Sequence, residues 1–520
     1  MLIKTYGSAI YGIDAITITI EVNIDVGLNF FMVGLPDSAV KESQQRIVAS
    51  FKNNGFSYPG RRIVVNMAPA DIKKEGSAYD LPIALGILAA SDQLKADVLG
   101  KYIIMGELSL DGSLQPIKGA LPIAIEARNQ GFKGFILPEQ NAREAAIVNN
   151  LEVIGVNSLK QVVDFLNGNL VIEPVEVNTR EEFFASLNEY EFDFSDVKGQ
   201  ENIKRALEIA ASGGHNVIFI GPPGAGKTML AKRLPSILPP LNLHEALETT
   251  KIHSVSGKLA KNSSLITVRP FRAPHHTISD VALVGGGSFP QPGEISLAHN
   301  GVLFLDELPE FKRTVLEVLR QPVEDRVVTI SRAKFTVEYP ASFMLIAAMN
   351  PCPCGYYNHP DKQCVCGPGV VQKYLNKVSG PLLDRIDIHV EVTPVPFREL
   401  SRVQSSEKSE LVRERVIAAR KVQEDRFQEV PGVYCNAQMN TKLLQTYCKI
   451  SESGSTLLKT AMEKLSLSAR AYDRILKVSR TIADIDSSTD IQNHHLAEAI
   501  QYRSLDRENW AEGGWTGKRG

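Results

Sequence analysis

Residues 216–230 read "NVIFIGPPGAGKTML", and the fold of the chain turns on them. Asn216 to Ile220 form an apolar run of strand length, short enough to be buried on both faces of a sheet. Gly221, Pro222, Pro223, Gly224, Ala225, Gly226, Lys227 and Thr228 then keep the Gly-x4-Gly-Lys-Thr spacing of a phosphate loop, with a helical stretch after it. Glycines let the backbone wrap an anion, so that N–H groups and the start of the helix face negative charge. That places Lys227 for the β- and γ-phosphates of a nucleoside triphosphate and Thr228 for its Mg²⁺.

Such a loop needs a second strand, and "GVLFLDELPEF" (301–311) supplies it. Val302 to Leu305 suit a central parallel strand. Asp306 at its end can hold the Mg²⁺ shell, and Glu307 can polarise the attacking water. A third apolar run, "FMLIAAMN", ends in Asn350, an amide that would sit between the other two groups and help place the water. These three segments predict an α/β domain built on a parallel sheet, spanning 193–396.

Directly after Asn350 lies "PCPCGYYNHPDKQCVCGP" (351–368), with four of the six cysteines of the chain. Cys352 and Cys354, and Cys364 and Cys366, form two Cys-x-Cys pairs. Residues i and i+2 of an extended segment share a face, so each pair can present two sulfurs together. Gly355 and Pro360 can fold the spacer so that the pairs meet. Four thiolates would repel, and a tetrahedral Zn²⁺ would neutralise them. Labile disulfides or plain buried thiols are the competing readings. His359, inside the spacer, reads as a surface histidine. His275-His276 reads as a hydrogen-bonded structural pair, and Cys435 and Cys448 as isolated and inert.

The composition sets the frame. Hydrophobic residues make up 43% and charged residues 22% of 520 residues, the balance of a globular protein with several domains. Net charge is −2, so any nucleic-acid contact must come from a local patch. No secretory signal precedes the first strand-like segment, and the most apolar window, "LPIALGILAA" (81–90), is too short to span a bilayer. A cytoplasmic, reducing setting is expected, in which clustered cysteines favour metal or redox roles over structural disulfides. Residues 1–172 mix strand alternation ("AITITIEVNI", "RRIVVNMAP") with helical stretches and read as an α+β domain. The charged stretch 173–192 reads as a linker. Residues 397–512 read as a helical domain, with Tyr472, Ile475, Leu476, Ser479, Ile482 and Ala483 at helical spacing, and 513–520 as a loose tail.

In that order, phosphate loop, Asp-Glu strand, Asn strand and helical lid resemble an AAA+ ATPase. "FRAPHHTISDVALVGGGSFPQPGEISLAHNGVLFLDELPEF", "MNPCPCGYY", "GPLLDRIDIHVEV" and "SARAYDRILKVSRTIADI" resemble the magnesium-chelatase-like AAA+ family, and within it the YifB/ComM branch. The resemblance implies ATP and Mg²⁺ as cofactors, a ring of six copies, and a DNA motor that promotes branch migration. It makes Arg385 the arginine finger that reaches a neighbouring subunit, Arg470 the lid sensor and Asn350 the first sensor. It puts Val197 and Gln200 beside adenine. Residues 279–293 and 326–339 match two insertions of this branch, the second a hairpin. Strand alternation runs through Val327–Ile330 and Phe335–Val337, with Arg332 and Lys334 near a turn that would meet DNA phosphates in the pore.

The N-terminal stretches "NMAPADIKKEGSAYDLPIALGILAAS" and "MGELSLDGSLQPIKGALPIAIEARNQGFKGFILPEQN" resemble the proteolytic domain of Lon proteases. That chemistry needs a Ser nucleophile and a Lys base. Ala78 stands at the first position and Leu121 at the second, so an inactive protease fold is expected. Three classes stand side by side: a DNA translocase, a chelatase-type motor remodelling a protein partner, and an ATP-dependent protease.

Overall fold

The structure is a computed structural model. It describes the chain except residues 1, 186–189, 260–263, 288–289, 333–334, 358, 360, 368, 396–405, 466 and 504–520. The N-terminal half is a seven-stranded mixed sheet with the order Phe30–Val33, Arg62–Ala68, Asp14–Asp25, Leu2–Tyr11, Tyr102–Ile104, Gly134–Pro138, Glu152–Val156. Asp14–Asp25 shows why it forms. Ile18, Ile20 and Val22 alternate inward and are fully buried, while the residues between them are partly exposed. The apolar window at 81–90 becomes helix Asp80–Ala90, buried along its whole length against this sheet. Its one charge, Asp80, is held by Arg46 at 2.6 and 2.9 Å.

The stretch read as a linker is partly structured. Val175 N–H donates to Val153 O (2.8 Å), and helix Thr179–Ala185 buries Phe183 in the N-terminal core. Polar composition hid two apolar anchors spaced for that docking.

The central sheet has five strands, all parallel: Phe271–Arg272, Val302–Leu305, Met344–Met349, Val217–Ile220, Ile388–Glu391. The three central strands are buried at every residue, which is why they read as unbroken apolar runs. Parallel order puts every strand's carboxyl end on one edge. The phosphate loop, Asp306 and Asn350 follow three adjacent strands and so converge there.

The lid is helical: Ser409–Phe427, Thr441–Tyr447, Glu452–Leu465, Ala469–Ile485 and Asn493–Gln501. It shares a single apolar core with one face of the central sheet, through helix Glu201–Gly213. Inside that contact His215 bonds Asp387 (3.2 Å) and Thr481 (2.7 Å), and Arg474 lies 3.0 Å from Asp387. Burial alone would raise the Asp387 carboxyl, but Arg474 and His215 hold it well below the usual carboxylate range.

Helix Leu243–Ser256 joins the halves. An Asn242–Glu245 capping box starts it, and Gly257 ends it in the left-handed region. Gly119 N–H donates to Ser254 O (3.1 Å), and the Ser254 hydroxyl bonds the buried Glu144, whose carboxyl burial pushes up.

Candidate nucleotide site and cysteine cluster

The phosphate loop is built as its spacing predicts. Gly224 and Gly226 take φ of 78° and 89°, and helix Lys227–Arg233 begins at the lysine. Lys227 is buried, and its ammonium donates to Gly221 O (2.7 Å), Pro222 O (2.9 Å) and Asn350 Oδ1 (3.0 Å). Burial lowers its pKa, against the pull of Asp306 and Glu307. The loop carbonyls and the Asn350 amide thus occupy the cation that a terminal phosphate would take, which fits a nucleoside triphosphate. The Thr228 hydroxyl donates to Asp306 Oδ2 at 2.6 Å, the two oxygens that would share an Mg²⁺ shell. Glu307 follows in left-handed backbone, φ 53° and ψ 46°, with its carboxylate half-exposed. Such backbone costs a non-glycine residue and collects at functional sites.

His276, read from sequence as structural, is on Glu307. Its Nδ1 lies 3.2 Å from Glu307 Oε2, while His275 bonds Thr277. The missed signal was position: the His pair follows the edge strand Phe271–Arg272, at the same carboxyl edge as the Asp-Glu strand. Val197 is buried, and Gln200 donates to Ala225 O (3.0 Å) and Thr393 O (3.3 Å), tying the loop to the end of the last strand.

Arg385 and Arg470 are elsewhere. Asn216 Nδ2 donates to Arg385 O (3.1 Å), and Asn216 precedes the strand whose far end carries the phosphate loop. A four-residue strand spans roughly 13 Å, so the two groups sit at opposite edges of one sheet. Arg385 bonds Glu324 (2.9 Å) and Pro381 O (2.6 Å), and Arg470 bonds Asp384 (2.8 Å). Both arginines line one cavity of about 270 Å³, with Arg474 and Lys477. Within its own chain, neither meets the phosphate loop.

The four cysteines do meet. All four sulfurs lie within 4.8 Å of one another, with Cys352–Cys354 at 3.2 Å, Cys354–Cys364 at 3.5 Å and Cys352–Cys364 at 3.8 Å. Four ligands at about 2.3 Å around a tetrahedral zinc stand about 3.8 Å apart, so the set fits such an ion. Burial pushes the Cys352 thiol up to about 12. His359 Nδ1 accepts from the Asp361 and Lys362 N–H groups and caps the spacer. The loop also touches the nucleotide site: a side chain at Gly355, φ 83°, would come within 2.5 Å of Pro223.

The hairpin spans Val327–Arg332 and Phe335–Pro340, longer than the alternation suggested, because Val337 and Tyr339 both point inward. The Arg332 side chain and all of Lys334 lie outside the described residues. In the N-terminal domain, Leu121 is fully buried and Ser77 bonds Glu107. Among the described residues no helix is long and apolar enough to cross a membrane.

Comparison with known proteins agrees with this arrangement. The family model described as magnesium chelatase, subunit ChlI, matches residues 193–400, and the model of its C-terminal part matches 406–503. Competence protein ComM of Haemophilus influenzae is 46% identical over 96% of this chain and 97% of its own length. YifB of Escherichia coli is 44% identical over 96% of each. Lon protease 2 of Bacillus subtilis is 30% identical over 31% of this chain and 33% of its own. A parallel sheet with a phosphate loop, an Asp-Glu strand and a docked helical lid, together with identity along nearly the whole chain, places this protein in the magnesium-chelatase-like AAA+ family, in its ComM/YifB branch.

Proposed function

We propose that the chain is an ATP-hydrolysing, ring-forming DNA motor that drives branch migration of recombination intermediates, as in natural transformation. The observation that carries the reading is the split site. The phosphate cradle lies at the carboxyl edge of the sheet, and Arg385 and Arg470 lie at the amino edge. A hydrolytic centre with its arginines in place then needs two copies side by side, and repetition of that contact closes a ring, six-membered in this reading.

In that centre, bound Mg²⁺ would supply charge neutralisation between phosphate oxygens, held by Thr228 and Asp306. Lys227 would leave its loop carbonyls for the terminal phosphate. Asn350 would then be free to orient water, and Glu307 to take its proton. Arg385 and Arg470 of the adjoining copy would face the charge that develops on the departing phosphoryl group. Arg332 and Lys334 of each hairpin would track DNA phosphates. The four cysteines would hold one structural Zn²⁺ with no open position for water.

The test is the ATPase rate without DNA, with linear DNA and with a four-way junction. Stimulation by the junction above linear DNA is expected. A rate indifferent to every DNA would move the reading to a motor that remodels a protein partner.

A further inference from the structure

We propose that the Lon-like N-terminal domain braces the hairpin Val327–Arg332/Phe335–Pro340, and that Tyr11 and Ile13, at the turn between its first two strands, are the positioning residues. That the braced hairpin meets DNA rests on the DNA-motor reading above. The brace itself does not.

Strands Leu2–Tyr11 and Asp14–Asp25 pair antiparallel with Tyr11 opposite Asp14, so Gly12 and Ile13 alone make the turn. Gly12 takes φ 67°, the left-handed backbone that a two-residue hairpin turn requires. Turns of that kind are ordinarily polar, because they face water. This one carries an isoleucine at its tip and a half-exposed tyrosine at its base. Neither belongs to the N-terminal core. Ile13 packs instead against the core that the hairpin shares with the central sheet, where Val328, Ile330, Val337 and Tyr339 are buried. Among the described residues it is the one member of that core from the N-terminal domain.

The neighbours of Ile13 complete the contact. The Tyr11 hydroxyl donates to Thr336 O at 3.0 Å, and a side chain at Gly12 would come within 3.1 Å of Val337. Asp14, one residue past the turn, lies 3.0 Å from Lys251 of helix Leu243–Ser256, so the ATPase half grips the turn from a second direction. The hairpin has use for such support. It is a two-stranded ribbon, an element that is marginal in water by itself. Its inward side chains and the bond from the Tyr339 hydroxyl to Pro290 O (2.7 Å) hold one side of it. Tyr11 adds a bond to strand Phe335–Pro340 from outside the ribbon, across 325 residues of chain. A load on the hairpin is then carried by two domains instead of by the ribbon alone.

The test is amide hydrogen exchange on the full chain without DNA, followed by kcat and KM for ATP and the Kd for a four-way junction. Ile13→Ala removes the apolar anchor, and Tyr11→Phe removes only the hydroxyl. Exchange in hairpin segments 327–332 and 335–340 should rise about tenfold in the first and about threefold in the second, the factors of a partly buried side chain and of one hydrogen bond. Exchange at Ile18–Val22 and Val217–Ile220 should stay as in wild type. The DNA-free kcat and KM should not change, while junction binding should weaken about two- to tenfold. Hairpin exchange at the wild-type rate in both variants overturns the brace. So does a rise shared equally by Ile18–Val22, which would make both residues supports of their own domain. Faster hairpin exchange with an unchanged junction Kd, in a protein whose ATPase rate DNA does stimulate, overturns the link to DNA. A wild-type rate indifferent to every DNA breaks the DNA-motor reading, and the brace is then decided by exchange alone.

Discussion

The N-terminal sheet and the central sheet carry the same kind of core and differ in what stands at their chemical positions. Both bury alternating or continuous runs of Ile, Val and Leu, and both pack helices on those faces. In the central sheet the strand ends carry Lys227, Asp306, Glu307 and Asn350, each within hydrogen-bond reach of another polar group. Beside the N-terminal sheet, Leu121, expected from the sequence at the lysine position of the Lon-like pattern, is fully buried. A fold is thus kept by many apolar positions, any one of which is dispensable to chemistry, while an activity rests on a few polar positions that the core does not need. The buried Glu144–Ser254 bond and helix Leu243–Ser256 tie the N-terminal domain to the ATPase half, a docking role that needs no reaction of its own.

The contrast can be broken at several points. Replacing Arg385 with Ala should leave nucleotide binding and cut turnover by about 10³–10⁵. Mixing that variant with Glu307→Gln should restore part of the rate, and failure at every ratio would place Arg385 within its own subunit's chemistry. Glu307→Gln alone should cost on the order of 10²–10⁴ in kcat while ATP still binds, because only the base is lost. Leu121→Lys puts the lysine of the Lon pattern back into a dry core. It should lower stability by about 3 kcal/mol or more in denaturant unfolding without giving peptidase activity. Cys364→Ser should lower the melting temperature and the zinc content together. Elemental analysis of reduced, chelator-free wild type should give one zinc per chain, and a value near zero would dissolve the site. Ala78→Ser should change stability by less than about 0.5 kcal/mol and again give no peptidase activity, since the base is missing.

Much of the ATPase half was legible because its signals are local. The strand before Gly221, the Asp306-Glu307 end and the Asn350 end each fall within a residue of their predicted places. The cysteine pairs met because a short spacer had few ways to fold. What stayed hidden depends on distant partners. Nothing in the local sequence marks Glu144 for burial, and its carboxylate accepts from Ser254, 110 residues away in sequence. Phe183 and Val175 sit in polar surroundings, and only the N-terminal core explains their order. His276 looks like half of a turn until the neighbouring strand sets Glu307 beside it. Arg385 and Arg470 could be assigned types from their motifs. That they share one cavity at the edge remote from the phosphate loop follows only from the parallel topology.

The core common to the lid and the central sheet has a mechanical consequence. Lid helix Ala469–Ile485 and helix Glu201–Gly213 are fused by apolar packing, and the His215, Asp387, Thr481 and Arg474 side chains bolt the seam with charge that cannot be left unpaired in a dry interior. Close-packed interiors resist shear. A jaw-like swing of the lid would tear that seam, so lid and central sheet are expected to move as one stiff block. In the proposed ring, compliance would then lie at the joints between copies, and the working stroke would be a change of angle from one copy to the next.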